Sequence, residues 1–468
     1  MAARTVYVIS DLHLGGDPDD PEVPGGRGFR MCRQGALLAR FIEAVAAKDP
    51  GADPAELVIA GDFIDFLAER PLGEGEAWAP FHRASWEAVE IFRAVATRRE
   101  PAVFAALGRL LARGHALTVL LGNHDLELSL PEVRGALEAV LGPGRLRFVY
   151  DNEAYVIGDA VIEHGNRADP MNEVDHDALR RVRVLQSRRA DDPGAAPFTP
   201  PVGSRVVASL MNPLKARYPF IDLLKPESTG MAPILLALEP KAGLKLPKLM
   251  GFGALGAARA ALNAVLPRFG DEIAGGPAAA PASDPLGDAV RAALPAEDAA
   301  ALLALASEAG GLGTEIAAQP ESWRSQAALR TLRSLVADDR TFDTTAEQGA
   351  SYRAAAAAHL AAGFGYVVFG HTHRAVLERL PGGVYLNSGT WADLMQVPAA
   401  LFGDDEAAAD EAGARFFADV AAGDLEPWIL RRPTYVRLAV GADERVVQAD
   451  LREFQVADVD AEENVRAR

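Results

Sequence analysis

The sequence predicts an α/β fold in which short buried strands alternate with helices and present polar side chains from their ends. Three observations predict it. Five runs of strand-forming residues punctuate the chain: VYVIS, ELVIA, ALTVLL, YVIGDAVIE and GYVVFG. Each leads into a short polar motif, in order Asp11-Leu12-His13, Gly61-Asp62, Gly122-Asn123-His124-Asp125, His164-Gly165 and Gly370-His371-Thr372-His373. Between the runs lie segments with apolar residues at helical spacing, such as 33–48 and 81–113. Ligand-type side chains at the ends of successive buried strands converge in space, as they do where the strands of an α/β sheet end.

Taken in order, residues 1–169 form a βαβ series that carries four of the five motifs. The first strand begins by about Thr5, which leaves no room for a signal peptide. The last motif follows His164 only after 207 residues, so a large insertion, 170–350, precedes the strand GYVVFG. Its Ala/Leu-rich composition predicts a mainly helical cap with a flexible stretch at 274–287. Beyond His373, ERLPGGVYLNSGTW predicts a hairpin and 400–425 an acidic helical excursion, and TYVRLAV and RVVQADLREF alternate as strands do. Residues 351–456 thus rejoin 1–169 in one core, and the charged tail 457–468 is expected to fray.

Composition narrows the function. The single cysteine, Cys32, excludes an intramolecular disulfide and a thiolate cluster. No stretch of 18 or more residues is apolar and charge-free enough to span a bilayer, and a cytoplasmic protein is expected. A net charge of −18 argues against nucleic acid as a partner. The charge is uneven: between 203 and 268 nine Lys or Arg face three acids, a local +6 that leaves −24 elsewhere. That basic, apolar stretch suits either peripheral contact with an anionic membrane or an ordinary helix packed on the core with its lysines solvated.

The motifs carry the chemistry. Five of the nine histidines lie in them, with carboxylates and an amide but no thiolate. That donor set suits two divalent cations, manganese first, with iron, zinc or magnesium also admissible. Two metals roughly 3.5–4 Å apart need a ligand that touches both, and Asp62 is the candidate bridge. Such a pair polarises a phosphoryl group and lowers the pKa of a bridging water. The remaining histidines, His82, His115, His176 and His359, are read as surface or helix-cap residues.

These motifs, D-x-H, G-D, G-N-H-[DE], H and G-H-x-H in that order, resemble the calcineurin-like metallophosphoesterase superfamily. The resemblance implies a four-layer sandwich of two packed mixed β-sheets flanked by helices, with TYVRLAV and RVVQADLREF closing the second sheet. It implies that Asp11, His13, Asp62 and His373 hold one metal and that Asp62, Asn123, His164 and His371 hold the other. His124 would then donate a proton or hydrogen bond to the phosphoryl oxygen or leaving group, with Asp125 orienting it. Attack by metal-bound hydroxide on a phosphodiester or pyrophosphate is the implied reaction.

Within the superfamily the chain is most similar to the UDP-2,3-diacylglucosamine diphosphatase-like group, through D-L-H-L, G-D-F-I-D, the His164-Gly165 pair and G-H-T-H-R. That likeness covers about half the chain and implies a nucleotide-pyrophosphate substrate at the membrane face, with Mn²⁺. Two departures separate the chain from the group, whose best-characterised enzymes carry Arg where His124 stands and are roughly half this length. Substrate contacts are expected from Asn166, Arg167 and Arg374, with Asp65 and Asp169 near the site. A non-catalytic scaffold of the same fold is the alternative, although scaffold relatives have usually lost ligands that this chain keeps.

Overall fold

Alternation along the first strand already requires two cores. Val6 and Val8 face one apolar cluster, whereas Tyr7 and Ile9 face another on the opposite side. The computed structural model describes residues 2–16, 29–72, 78–216, 218–225, 234, 344–347 and 349–455. Strands β1 (Ala2–Ile9), β2 (Ala55–Ala60), β3 (Ala116–Leu120) and β4 (Arg145–Val149) run parallel, side by side. Next come the hairpin β5 (Tyr155–Ile157) and β6 (Ala160–Ile162), then the short β7 (Leu224–Lys225). After the insertion lie β8 (Tyr366–Phe369), β9 (Ala375–Leu380), β10 (Gly383–Ser388) and β11 (Leu394–Gln396). Last are β12 (Ile429–Leu430), β13 (Thr434–Gly441) and β14 (Val446–Glu453).

Two mixed sheets result, ordered β14-β13-β1-β2-β3-β4 and β5-β6-β8-β10-β9. Val6, Val58 and Leu438 of the first pack between the sheets against Ile162, Val368 and Leu386 of the second. Helices α1 (Gly35–Ala46), α2 (Ser85–Ala94), α3 (Pro101–Ala112) and α4 (Pro131–Leu141) cover the first sheet's outer face through Phe41, Phe92, Leu107 and Leu137. On the far side, Ala356 and Leu360 of the helix Ala350–Ala361 cover Val161, Val367 and Tyr385. The expected layering of helix, sheet, sheet and helix is therefore present.

Several details differ from expectation. Segment 81–113 is not one helix: a π turn, Val95–Arg99, and Pro101 divide it, because a proline without an N–H starts a helix more readily than it continues one. YVIGDAVIE folds back as the β5–β6 hairpin, with Gly158 at φ 56° in the turn. TYVRLAV and RVVQADLREF close the first sheet, not the second, since β13 lies antiparallel to β1 with Val6 opposite Leu438. Alternation shows that a strand has a buried face but does not say which sheet edge it joins. His82 and His115 are buried rather than at the surface, and their rings bond backbone: His82 Nε2 meets the Phe66 carbonyl at 3.2 Å and His115 Nδ1 meets the Ala55 amide at 3.2 Å.

The beginning of the insertion docks beside the core. Helices His176–Gln186, Val202–Val206, Asn212–Lys215 and Phe220–Leu223 lead into β7, which joins β11 and β12 in a small third sheet. Met211, Phe220 and Leu224 share an apolar cluster with Met395, Leu401, Phe416 and Val420, so the acidic helix Glu406–Ala422 packs on the insertion. Most of the expected cap, most of the basic stretch 203–268, the stretch 274–287 and the tail 457–468 lie outside the described residues. Among the described residues no helix is long and apolar enough to cross a membrane.

One buried carboxyl makes stability depend on pH. Glu127 is 2% exposed and accepts the His82 amide at 2.6 Å. Burial outweighs that hydrogen bond and pushes its pKa up to about 8. The unfolded chain ionises this group at its ordinary value, 4.5, so between there and pH 8 the folded state holds the extra proton and loses stability as pH rises. Glu127→Gln keeps the acceptor and removes the ionisation. Chemical denaturation at pH 5 and pH 8.5 is expected to show the variant gaining on the wild type at the higher pH. Equal differences at both would mean that Glu127 ionises normally.

Candidate metal centre

The five strand-end motifs meet at one edge of the sandwich, beyond the C-termini of β1, β2, β3, β6 and β8. The backbone is strained there. Of eight non-glycine residues with positive φ among the described residues, Asp11, His13, Asp62, His371 and His373 account for five, at 43° to 70°. L-residues adopt this region at a cost, and its concentration in one cluster marks a functional constraint.

The motif glycines are required by close approach. A Cβ on Gly122 would collide with the Asp62 carboxylate, and one on Gly370 would lie 2.6 Å from Asp11 Oδ2. Gly122→Ala is therefore expected to displace Asp62 and weaken divalent-cation binding at least about 10-fold, as a disturbed ligand support does. Equilibrium dialysis with Mn²⁺ checks this, and unchanged uptake would show that Asp62 can shift without loss.

Three groups of donors form among the described residues, the third of them, His13, Asp65 and His124, sharing His13 with the first. In the first, His13 Nε2 lies 3.2 Å from His373 Nε2 and 3.7 Å from Asp62 Oδ2, and His373 Nε2 lies 3.4 Å from Asp11 Oδ1. In the second, His164 Nε2 lies 3.2 Å from the same Asp62 Oδ2, with His371 alongside. Ligands bonded at about 2.1 Å to one cation stand about 3.0–3.4 Å apart along octahedral or tetrahedral edges, and most of these separations match. Asp62 is grouped with His164 and His371, and its Oδ2 also lies 3.7 Å from His13 Nε2 of the first group, between the two. Asp11 Oδ1, Asn123 Oδ1 and His164 Nε2 are also buried without any hydrogen-bond partner. Unpartnered buried acceptors are costly, and a cation is the partner that suits three of them at once. The donor set thus fits two divalent cations.

Supporting bonds aim these atoms. The Ala60 carbonyl accepts from His164 Nδ1 at 2.9 Å, so one proton stays on Nδ1 and Nε2 is the nitrogen that a cation would meet on displacing its proton. Asp11 Oδ2 accepts the His371 amide at 2.9 Å and the Ser10 hydroxyl, which turns Oδ1 inward. Asn387 Nδ2 donates to the Gly370 carbonyl at 2.7 Å, and Thr390 Oγ1 donates to the Asp11 carbonyl at 2.7 Å. The segment Asn387-Ser388-Gly389-Thr390-Trp391 therefore buttresses two motifs.

Charge in the cluster is balanced by protons where cations would sit. Burial opposes ionisation of Asp11 and Asp62, yet their histidine neighbours hold both below the ordinary value, Asp11 at about 2. Burial likewise opposes the charge on His164, but Asp62 and Asp11 outweigh it and push its pKa up to about 10. His373 goes the other way, down to about 4, through burial and the nearby Lys225. Cation binding would exchange with the His164 proton, so affinity should rise with pH.

His124 lies against the first group, its ring centroid 4.7 Å from that of His13, and with His13 and Asp65 it forms the third cluster able to hold a cation. Its side chain is 17% exposed, against 10% or less for the motif histidines around it. Its Nδ1 lies 2.9 Å from Asp65 Oδ1. This corrects the expectation for Asp125, whose two carboxylate oxygens accept the Phe63 amide at 2.8 Å and the Gly122 amide at 2.7 Å. Asp125 thus fixes the turn that carries Asn123 and His124, while Asp65 orients the imidazole. Asp65 also caps the turn Phe66–Ala68. Burial resists charge on His124, but Asp65 and Asp62 prevail and push its pKa up to about 9.

The expected substrate contacts are placed less favourably. Asn166 is buried and donates to the Asn172 carbonyl at 2.8 Å. Arg167 is exposed and pairs with Glu163 at 3.5 Å. Arg374 is 6% exposed and donates to the Ala346 carbonyl at 3.0 Å, a buried anchor rather than a group presented to solvent. A crevice of about 410 Å³ beside His164 is lined by Tyr150, Asn152, Arg167 and His176. Sequence reasoning missed Lys215, which is buried in a 2.5 Å ion pair with Asp222 and whose charge reaches His124. Its only signal was membership of the basic stretch. No protein-family model and no curated protein matches the chain, so its chemistry has to be taken from the residues themselves.

Proposed function

We propose that the chain is a dinuclear-metal-dependent phosphoesterase of the calcineurin-like metallophosphoesterase kind, which hydrolyses a phosphodiester or pyrophosphate. The observation that supports this is the position of Asp62 Oδ2, 3.2 Å from His164 Nε2 of its own donor group and 3.7 Å from His13 Nε2 of another. Asp11, His13, Asp62 and His373 would hold one cation, and Asp62, Asn123, His164 and His371 the other. When bound, two such cations polarise phosphoryl oxygens and lower the pKa of a water between them. His124 supplies what they do not. With Nδ1 taken by Asp65, Nε2 is the nitrogen left to give a proton to the leaving oxygen. The partial exposure of His124 at the edge of a buried cluster suits that position. A scaffold role is disfavoured because the motif donors are all present and brought together.

The test is hydrolysis of bis-p-nitrophenyl phosphate and p-nitrophenyl phosphate by Mn²⁺-loaded protein, followed by a panel of nucleotide pyrophosphates and UDP-linked lipids. Diester or pyrophosphate cleavage that a chelator abolishes and Mn²⁺ restores is expected. Protein with two bound Mn²⁺ and no turnover of any of these compounds would contradict the reading.

A further inference from the structure

The loop that follows His164 carries a hydrogen-bond chain absent from the motifs. Three donors converge on the Asp169 carboxylate. His371 Nε2 lies 3.2 Å from Oδ2, Asn172 Nδ2 donates to Oδ2 at 2.7 Å, and the Met171 amide donates to Oδ1 at 2.9 Å. A carboxylate with two other donors on it is an acceptor, so the His371 proton sits on Nε2 and Nδ1 is left with the lone pair that a cation needs. The same carboxylate fixes Asn172. With Nδ2 committed to Asp169, Asn172 Oδ1 is an acceptor, and it receives Asn123 Nδ2 at 3.4 Å. That contact leaves Asn123 Oδ1, buried and without a partner, on the other side of the amide, free to meet a cation. One carboxylate therefore sets the orientation of two side chains that meet the second cation.

The chain continues into the insertion. The Gly203 amide donates to the Met171 carbonyl at 2.8 Å, and a Cβ on Gly203 would collide with Asn172 Oδ1. Asn166 Nδ2 closes the loop on the Asn172 carbonyl.

We propose that Asp169 and Asn172 are positioning residues that orient His371 and Asn123 for the second cation, with Gly203 holding them from the insertion. This rests on the dinuclear reading above. It implies that the second cation is the one sensitive to the turn at Gly203.

The test is Mn²⁺ binding by calorimetry and by electron paramagnetic resonance, on wild type, Asp169→Asn, Asn172→Ala and Gly203→Ala. Wild type is expected to take two equivalents and show an exchange-coupled dimanganese spectrum. The variants are expected to bind the first equivalent normally and the second about 10–100-fold more weakly, with a mononuclear spectrum at stoichiometric metal. The metal-free melting curve of Asp169→Asn should match the wild type, since Asp169 is only partly buried and Asn replaces it without change of size. Wild-type affinity for both equivalents in Asp169→Asn and Asn172→Ala would overturn the proposal, and so would equal weakening of both. A wild type that binds fewer than two equivalents would overturn the dinuclear reading itself, and the inference with it.

Discussion

Asp62→Ala is expected to lose both cations and to lower diester hydrolysis by more than about 10³-fold, a larger loss than removal of a single charge-stabilising donor. Asp62 Oδ2 stands 3.7 Å from His13 Nε2 and 3.2 Å from His164 Nε2, between the two groups. Its second oxygen accepts the His124 amide at 2.9 Å, which ties the bridge to the neighbouring motif. Asp62→Asn separates charge from shape: it keeps one oxygen but presents an amide N–H₂ to one side. One cation should then survive while turnover is still lost. Elemental analysis of the dialysed variants reads this directly, with about two metals per chain in wild type, one in Asp62→Asn and none in Asp62→Ala. Two retained metals in Asp62→Ala would show that the groups do not share this ligand.

His124→Ala is expected to keep both metals and to lower kcat by about 10²–10⁴-fold, the usual range for a lost general acid. The loss should depend on the leaving group. A p-nitrophenolate leaves with little need of a proton, so the deficit should shrink for that ester and widen for an alkyl diester or a nucleotide pyrophosphate. The partner is tested through pH. His124 must carry its proton, so activity falls as pH rises through its pKa, about 9 in the cation-free cluster. Two cations nearby would move this limb to lower pH, and removing the Asp65 charge moves it lower still. Asp65→Asn should therefore shift the alkaline limb of kcat/KM downward, whereas Asp125→Asn should act mainly on folding through the amides it holds. An unmoved limb in Asp65→Asn would remove the dyad from the account.

Much of this was legible in the sequence, for an identifiable reason. Strand runs report burial, and a polar motif directly after a buried run must lie at a strand end, so the convergence of Asp11, Asp62, Asn123, His164 and His371 followed from local pattern. Pairing was not legible. TYVRLAV shows the same alternation whether it joins β1 or the second sheet, and only the open edge of β1 decides. The resemblance implies Asp125 as the partner of His124, but successive side chains in a turn point apart, and Asp125 is held by the Phe63 and Gly122 amides. Asp65, three residues beyond Asp62, reaches the imidazole only through the packing of β2 beside β3. Asn172 gave no signal and Lys215 only its place in the basic stretch, since each acts through a contact that tertiary structure alone creates.

Anomalous X-ray diffraction from crystals of the full chain grown with Mn²⁺ tests the central claim most directly. The account predicts two manganese peaks about 3.5–4 Å apart with Asp62 between them, one beside His13 and His373 and the other beside His164 and His371. A single peak, or peaks that do not share Asp62, would contradict it.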